Sequence, residues 1–333
     1  MTMTRQTLAA LGLYLAAALA ALPASGPLAG LSLGVVSDAT GTSLRPLLGI
    51  PGSSLLGQPL DLPVPVTVVA ISPGHDYALA VSAAELTPLL LRLSSLPVTA
   101  GPFGENLPRP DLAVISPGGS SAALYNRAAG TVDVLRGLPD APSSAGHVAV
   151  GDGTNLTAMA VSDDGTLVLA ATDSGAVVAF AAGESRFVTA LPQVTAVAFL
   201  RSSHDAVVCD AQQKTVYLLR DAGGGGEIRQ LASEKDGLGH PVALVASKDG
   251  GKVWVADSSG QLVLEIDVTG GGNRTIACPC TPSRLRPLLG ENVFQLTDAG
   301  AGPIWILDAG SPDPRVLFVP PVVADPAASG GVR

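Results

Sequence analysis

The chain has 333 residues, 47% of them hydrophobic and 4% aromatic, so it can bury a sizeable core but must build it from Val, Leu, Ile and Ala. Its formal charge is −9 with no Lys/Arg cluster. That balance excludes the usual electrostatics of nucleic-acid binding and of docking on an anionic membrane surface. Three cysteines, Cys209, Cys278 and Cys280, are too few and too odd in number for a small domain held by disulfides.

Residues 1–26 read as a secretory signal peptide of bacterial type. Arg5 gives a positive start, "TLAALGLYLAAALAAL" (7–22) is an uncharged apolar run, and "LPASG" supplies small residues for cleavage after Ala20, Ala24 or Gly26. The run falls short of the roughly 20 residues that a spanning helix needs. No later run is long or apolar enough to span a bilayer, so the expected mature protein is exported, periplasmic or extracellular, with no membrane span.

From residue 27 to 326 the chain repeats one layout. "TVVAISPGHDYALAVSAAELTPLLLRL" begins at Thr67, "TAMAVSDDGTLVLAATDSGAVVAFAAG" at Thr157 and "VALVASKDGGKVWVADSSGQLVLEIDVTG" at Val242. Each has a small-residue strand, a polar turn, an alternating strand, a second turn and a third strand; a fourth strand usually follows. The second turn carries a short polar residue in every copy: Asp38, Ser82, Asn126, Asp173, Asp210, Asp257 and Asp298. The intervals are 44, 44, 47, 37, 47 and 41 residues. A period in the forties with about four strands per unit predicts an all-β fold, a β-propeller of seven blades. The N-terminal unit lacks an innermost strand. "VVADP" (322–326) is a candidate to supply it, and six blades plus an N-terminal extension is the alternative. Residues 327–333 read as a flexible tail.

The pattern S-x-D-G, a few residues, then V-x-V-A-D and a second hairpin resembles the YVTN and NHL group of bacterial propellers. "VASKDGGKVWVADSSGQLVLEIDVTGG" and "AVSDDGTLVLAATDSGAVVAF" carry it best. The chain departs from the group where those families have Tyr-Val-Thr-Asn or Ala-Asn at the end of the middle strand. The resemblance implies the fold and leaves activity open, from binding scaffolds to lyases and lactonases.

The candidate chemistry is sparse. The glycine runs at 221–227 and 268–273 lack the helix that a phosphate loop requires and read as hairpin loops. "SDDG" and "KDGG" are too short for calcium loops and suit hairpin turns. His75 and His204 fall in first turns and read as solvated turn residues. His240, in "DGLGHPV", falls instead in a connection from an outer strand to the next inner one. The turn aspartates Asp38, Asp173, Asp210, Asp257 and Asp298 are expected on that same face. With His240 they have the chemistry to hold a divalent cation, which would activate water or polarise a carbonyl; equally, each Asp serves its own turn. "CPC" at 278–280 reads as an inert pair, since a disulfide so short is expected to be strained; the alternative is an oxidised, reactive or metal-binding pair, and the sequence leaves the redox state of Cys278 and Cys280 open. No catalytic residue and no cofactor other than that cation is expected. The reading is a monomeric binding or scaffolding propeller whose partner is a protein or envelope component. Its rival is a propeller metalloenzyme of lactonase or lyase type.

Overall fold

The computed structural model describes residues 31–104, 107–151, 153–300 and 302–321. The expected signal peptide, the tail and the segment 322–326 lie outside the described residues. The described chain folds into seven antiparallel sheets, six of four strands and one of three. In every sheet the strands lie in sequence order, so each is a meander. Blade 1 spans 32–56, blade 2 66–101, blade 3 112–149, blade 4 156–190, blade 5 194–232, blade 6 241–277 and blade 7 286–319. This is the seven-bladed arrangement. The one helical element among the described residues is a 3-10 turn at Glu234–Asp236, closed by a reciprocal capping box between Ser233 and Asp236.

The ring follows from alternation. In a strand, successive side chains point to opposite faces. In blade 6, Val253 and Val255 pack toward blade 5, while Trp254 and Ala256 pack toward blade 7. In blade 2, Ala78 and Ala80 face blade 1 and Tyr77 and Leu79 face blade 3. Every second strand is therefore apolar on both faces. Seven hydrophobic clusters result, each shared by two neighbouring blades, and together they run once around the circle. The last of them joins Leu33, Val36 and Leu47 of blade 1 to Ile304, Ile306 and Val319 of blade 7. Few aromatics are needed because aliphatic chains fill the narrow gaps between sheets.

The serine that opens the first turn in four blades, in S-x-D-G or S-P-G, has a specific task. Ser72, Ser116, Ser162 and Ser247 are buried at the ends of inner strands. Each donates its N–H to the carbonyl five residues on, and its hydroxyl accepts that residue's N–H in return. The first turn is thus closed at both positions by one residue, with no buried polar group left open.

Among the described residues blade 1 is the three-stranded sheet, as its sequence implied. Its edge strand, Ser32–Ser37, is not left bare. Leu289 of blade 7 donates its N–H to Leu33 O. The Val35 N–H donates to His75 Nδ1 at 2.9 Å, and His75 Nε2 lies 2.9 Å from Pro287 O. Because Nδ1 accepts, the proton sits on Nε2 and donates to Pro287. His75 is 5% exposed, which overturns its reading as a solvated turn residue. The first turn of blade 2 pushes this imidazole into the seam, where it links the edge of blade 1 to the inner strand of blade 7.

Candidate functional site

The second turns and the outer-to-inner connections share one face, as expected. Asp257 is fully buried and accepts three backbone N–H groups, from Gly239 and His240 at 2.7 Å each and from Gly260 at 2.6 Å. Asp210 repeats the arrangement with Gln193 and Gln213. Asn126 accepts from Ala129 N and donates to Arg109 O. In each case one short side chain bonds its own turn three residues on and ties it to the incoming connection.

Asp38 lies at the equivalent place in blade 1. Burial opposes its charge, but hydrogen bonds from Thr40, Thr42 and Ser43 outweigh that and hold its carboxyl below the ordinary range. Asp298, in blade 7, is ion-paired with Arg284. Blade 4 departs from the sequence ruler. There Thr172, not Asp173, pairs with the first residue of the inner strand, as Asp210 and Asp257 do in their blades. Asp173 is exposed one position further along the turn. His240 sits in its connection as expected; its backbone N–H goes to Asp257 and its carbonyl accepts from Ser258. Among the described residues no three His, Cys, Asp or Glu side chains are grouped to hold a metal ion.

The glycine runs are hairpin loops between third and outer strands: 221–227 separates Thr215–Leu219 from Ile228–Ala232, and 268–272 separates Leu262–Asp267 from Asn273–Ala277. "CPC" departs from its reading as an inert pair of thiols. Cys278 and Cys280 form a disulfide with their Cα atoms 5.0 Å apart. Both are buried in the cluster between blades 6 and 7, with Trp254 and Phe294. The bridge therefore pins the connection that leads into the last blade. Cys209 is fully buried, and that burial pushes its thiol well above the ordinary range.

The axial channel carries the feature that the sequence did not reveal. A cavity of about 550 Å³ opens at the end formed by the first turns, opposite the aspartate face. Its walls are the last residues of the inner strands, among them Ile71, Val114, Val161 and Val245, and its rim is formed by first turns. A volume of this order is typical of small-molecule sites. Small inner-strand residues signal a ring axis, but nothing in their pattern says which end stays open.

No protein-family model matches the chain, and no curated protein matches it. Solved structures do. A protein of unknown function from Desulfotomaculum acetoxidans DSM 771 superposes with a TM-score of 0.58 at 13% identity, covering 88% of this chain and 100% of its own. Hydrazine synthase of Kuenenia stuttgartiensis aligns at a TM-score of 0.49 and 13% identity, over 86% of this chain and 95% of its own. At such identity the first likeness shows the fold alone, and the second carries no weight. The class is thus a seven-bladed β-propeller. Within it, the finer likeness to the YVTN and NHL repeats has no family match behind it.

Proposed function

We propose that this chain is an exported binding or scaffolding propeller, built on YVTN/NHL-like repeats, that presents its second-turn face to a protein or envelope component. One observation supports it above others: the polar residues repeated on that face serve the loops themselves. Asp257, Asp210 and Asn126 each spend their hydrogen bonds on backbone groups of two loops. A surface so tied is preorganised, and preorganisation lowers the entropic cost of binding. The apolar run at 7–22 supports export.

The test is cross-linking followed by native mass spectrometry on protein from the host's extracytoplasmic fraction. One partner cross-linked reproducibly to residues 236–241 and 278–283 supports the reading. A stoichiometric divalent cation on a partner-free chain overturns it in favour of the metalloenzyme.

A further inference from the structure

We propose that the axial cavity at the first-turn end is a binding site for a small amphipathic anion, with a carboxylate or phosphate head and an apolar body. The site lies at the opposite end of the ring from the aspartate face and does not depend on the partner proposed there.

The walls set the apolar part. Inner-strand residues such as Ile71, Val114, Val197 and Val245 are only half-buried, whereas every residue of the second strand of blade 2 is buried. Aliphatic surface thus faces the axis where no neighbouring blade covers it. A ligand's hydrocarbon would remove that surface from water.

The charges set the polar part. Arg201, Lys248 and Arg286 line the cavity, and no Asp or Glu among the described residues does. They come from blades 5, 6 and 7 in succession: Arg201 and Lys248 stand on first turns at the rim, and Arg286 stands on the inner strand of blade 7. This is a cationic wall in a chain of net charge −9. Nearby carboxylates are engaged elsewhere. Asp163, at the rim, spends its carboxylate on Gly118 N at 2.6 Å and Ser202 N at 2.7 Å. Asp298 is paired with Arg284. Arg286 itself has one hydrogen bond among the described residues, from Nη1 to Ser37 Oγ at 3.3 Å. Burial, reinforced by Arg284 and opposed by Asp298, lowers its guanidinium to about 10, and it is still charged at neutral pH. Arg286 is half-buried and the carboxylate that acts on it, Asp298, is already paired with Arg284, so its charge is incompletely offset and an anion bound beside it would complete the compensation.

Isothermal titration of the full chain with sodium decanoate tests this, with decyl phosphate, decanol and decylammonium as comparisons. The expected result is one decanoate or decyl phosphate per chain, whichever is tighter naming the head group. Decanol and decylammonium should bind at least about tenfold more weakly. Arg201 and Lys248 are exposed, so the double variant Arg201→Met, Lys248→Met should fold normally. It should lose about tenfold in anion affinity and leave decanol unchanged. Equal binding of decanol and decanoate, no saturable binding of either anion, or anion binding untouched by the double substitution each overturns the proposal.

Discussion

Replacing His75 with Leu should weaken the ring at its seam. The side chain is buried, and its two ring nitrogens serve Val35 N–H in blade 1 and Pro287 O in blade 7. Leucine keeps most of the volume but leaves both backbone groups without a partner. Each buried group so stranded costs about 1–3 kcal/mol, so we predict a loss of about 2–6 kcal/mol. Against a total stability of about 5–15 kcal/mol, that is a large fraction. Urea unfolding followed by circular dichroism measures it. The same geometry predicts a pH effect. Burial lowers the His75 pKa from 6.5, and protonating Nδ1 would set it against the Val35 N–H. As pH falls below about 6.5 the unfolded chain takes up the proton first. Stability is therefore complete above that pH and declines below it, by up to about 1.4 kcal/mol per pH unit, until the folded imidazole titrates. The hydrogen bonds with Pro287 and Val35, and after them Asp76, oppose this shift without reversing it, and Arg286 lines the same small cavity. The Leu variant should lose this slope between about pH 6.5 and 5. A variant within about 1 kcal/mol of the parent, with the slope retained, would refute the bridging role.

Three further outcomes are expected. Asp257→Ala should cost about 3–5 kcal/mol in urea unfolding, because three backbone N–H groups lose their acceptor, whereas His240→Ala should change stability by under about 1 kcal/mol, since only the backbone of His240 is used. Equal effects would break that assignment. Thiol titration of the denatured, unreduced chain should find Cys209 alone, with Cys278 and Cys280 appearing only after reduction; three thiols at the outset would show the bridge absent. Gly34→Ala should destabilise the seam in the same assay, because Gly34 lies at φ +108° and a Cβ there would fall 2.6 Å from the His75 ring. Unchanged stability would mean that the imidazole can move aside.

The fold was legible because a propeller writes its geometry into the chain repeatedly. A polar side chain that must bond the residue three positions on cannot drift far from its turn, so Ser82, Asn126, Asp210 and Asp257 mark the period. Thr172 shows the weakness of that ruler: a hydroxyl took the role, and the aspartate beside it was mistaken for it. Position within the repeat misled for His75. The turn in blade 5 leaves His204 partly exposed beside Asp164, but blade 2 borders the sheet that has three strands among the described residues, and His75 bonds the edge of that sheet. That environment comes from Val35, 40 positions before, and Pro287, 212 positions after, beyond any local pattern. The bridge at "CPC" escaped for a similar reason, since only the packing of blades 6 and 7 brings those sulfurs into a shared core. Cations on three successive blades, Arg201, Lys248 and Arg286, are unrelated letters until the ring places them around one axis.

The seam has a consequence for the order of assembly. Blade 1 is synthesised first, yet its open edge is completed by Pro287, reached through His75 across 212 residues, and by Leu289. Until those residues have left the ribosome, the edge of Ser32–Ser37 exposes unpaired backbone donors and acceptors, a template for pairing with another chain. Each of the other blades can form its meander from its own consecutive strands. The ring thus begins with the unit that must wait longest, and its closure is the step of highest contact order, the one at which a nascent or refolding chain is most exposed to misassembly.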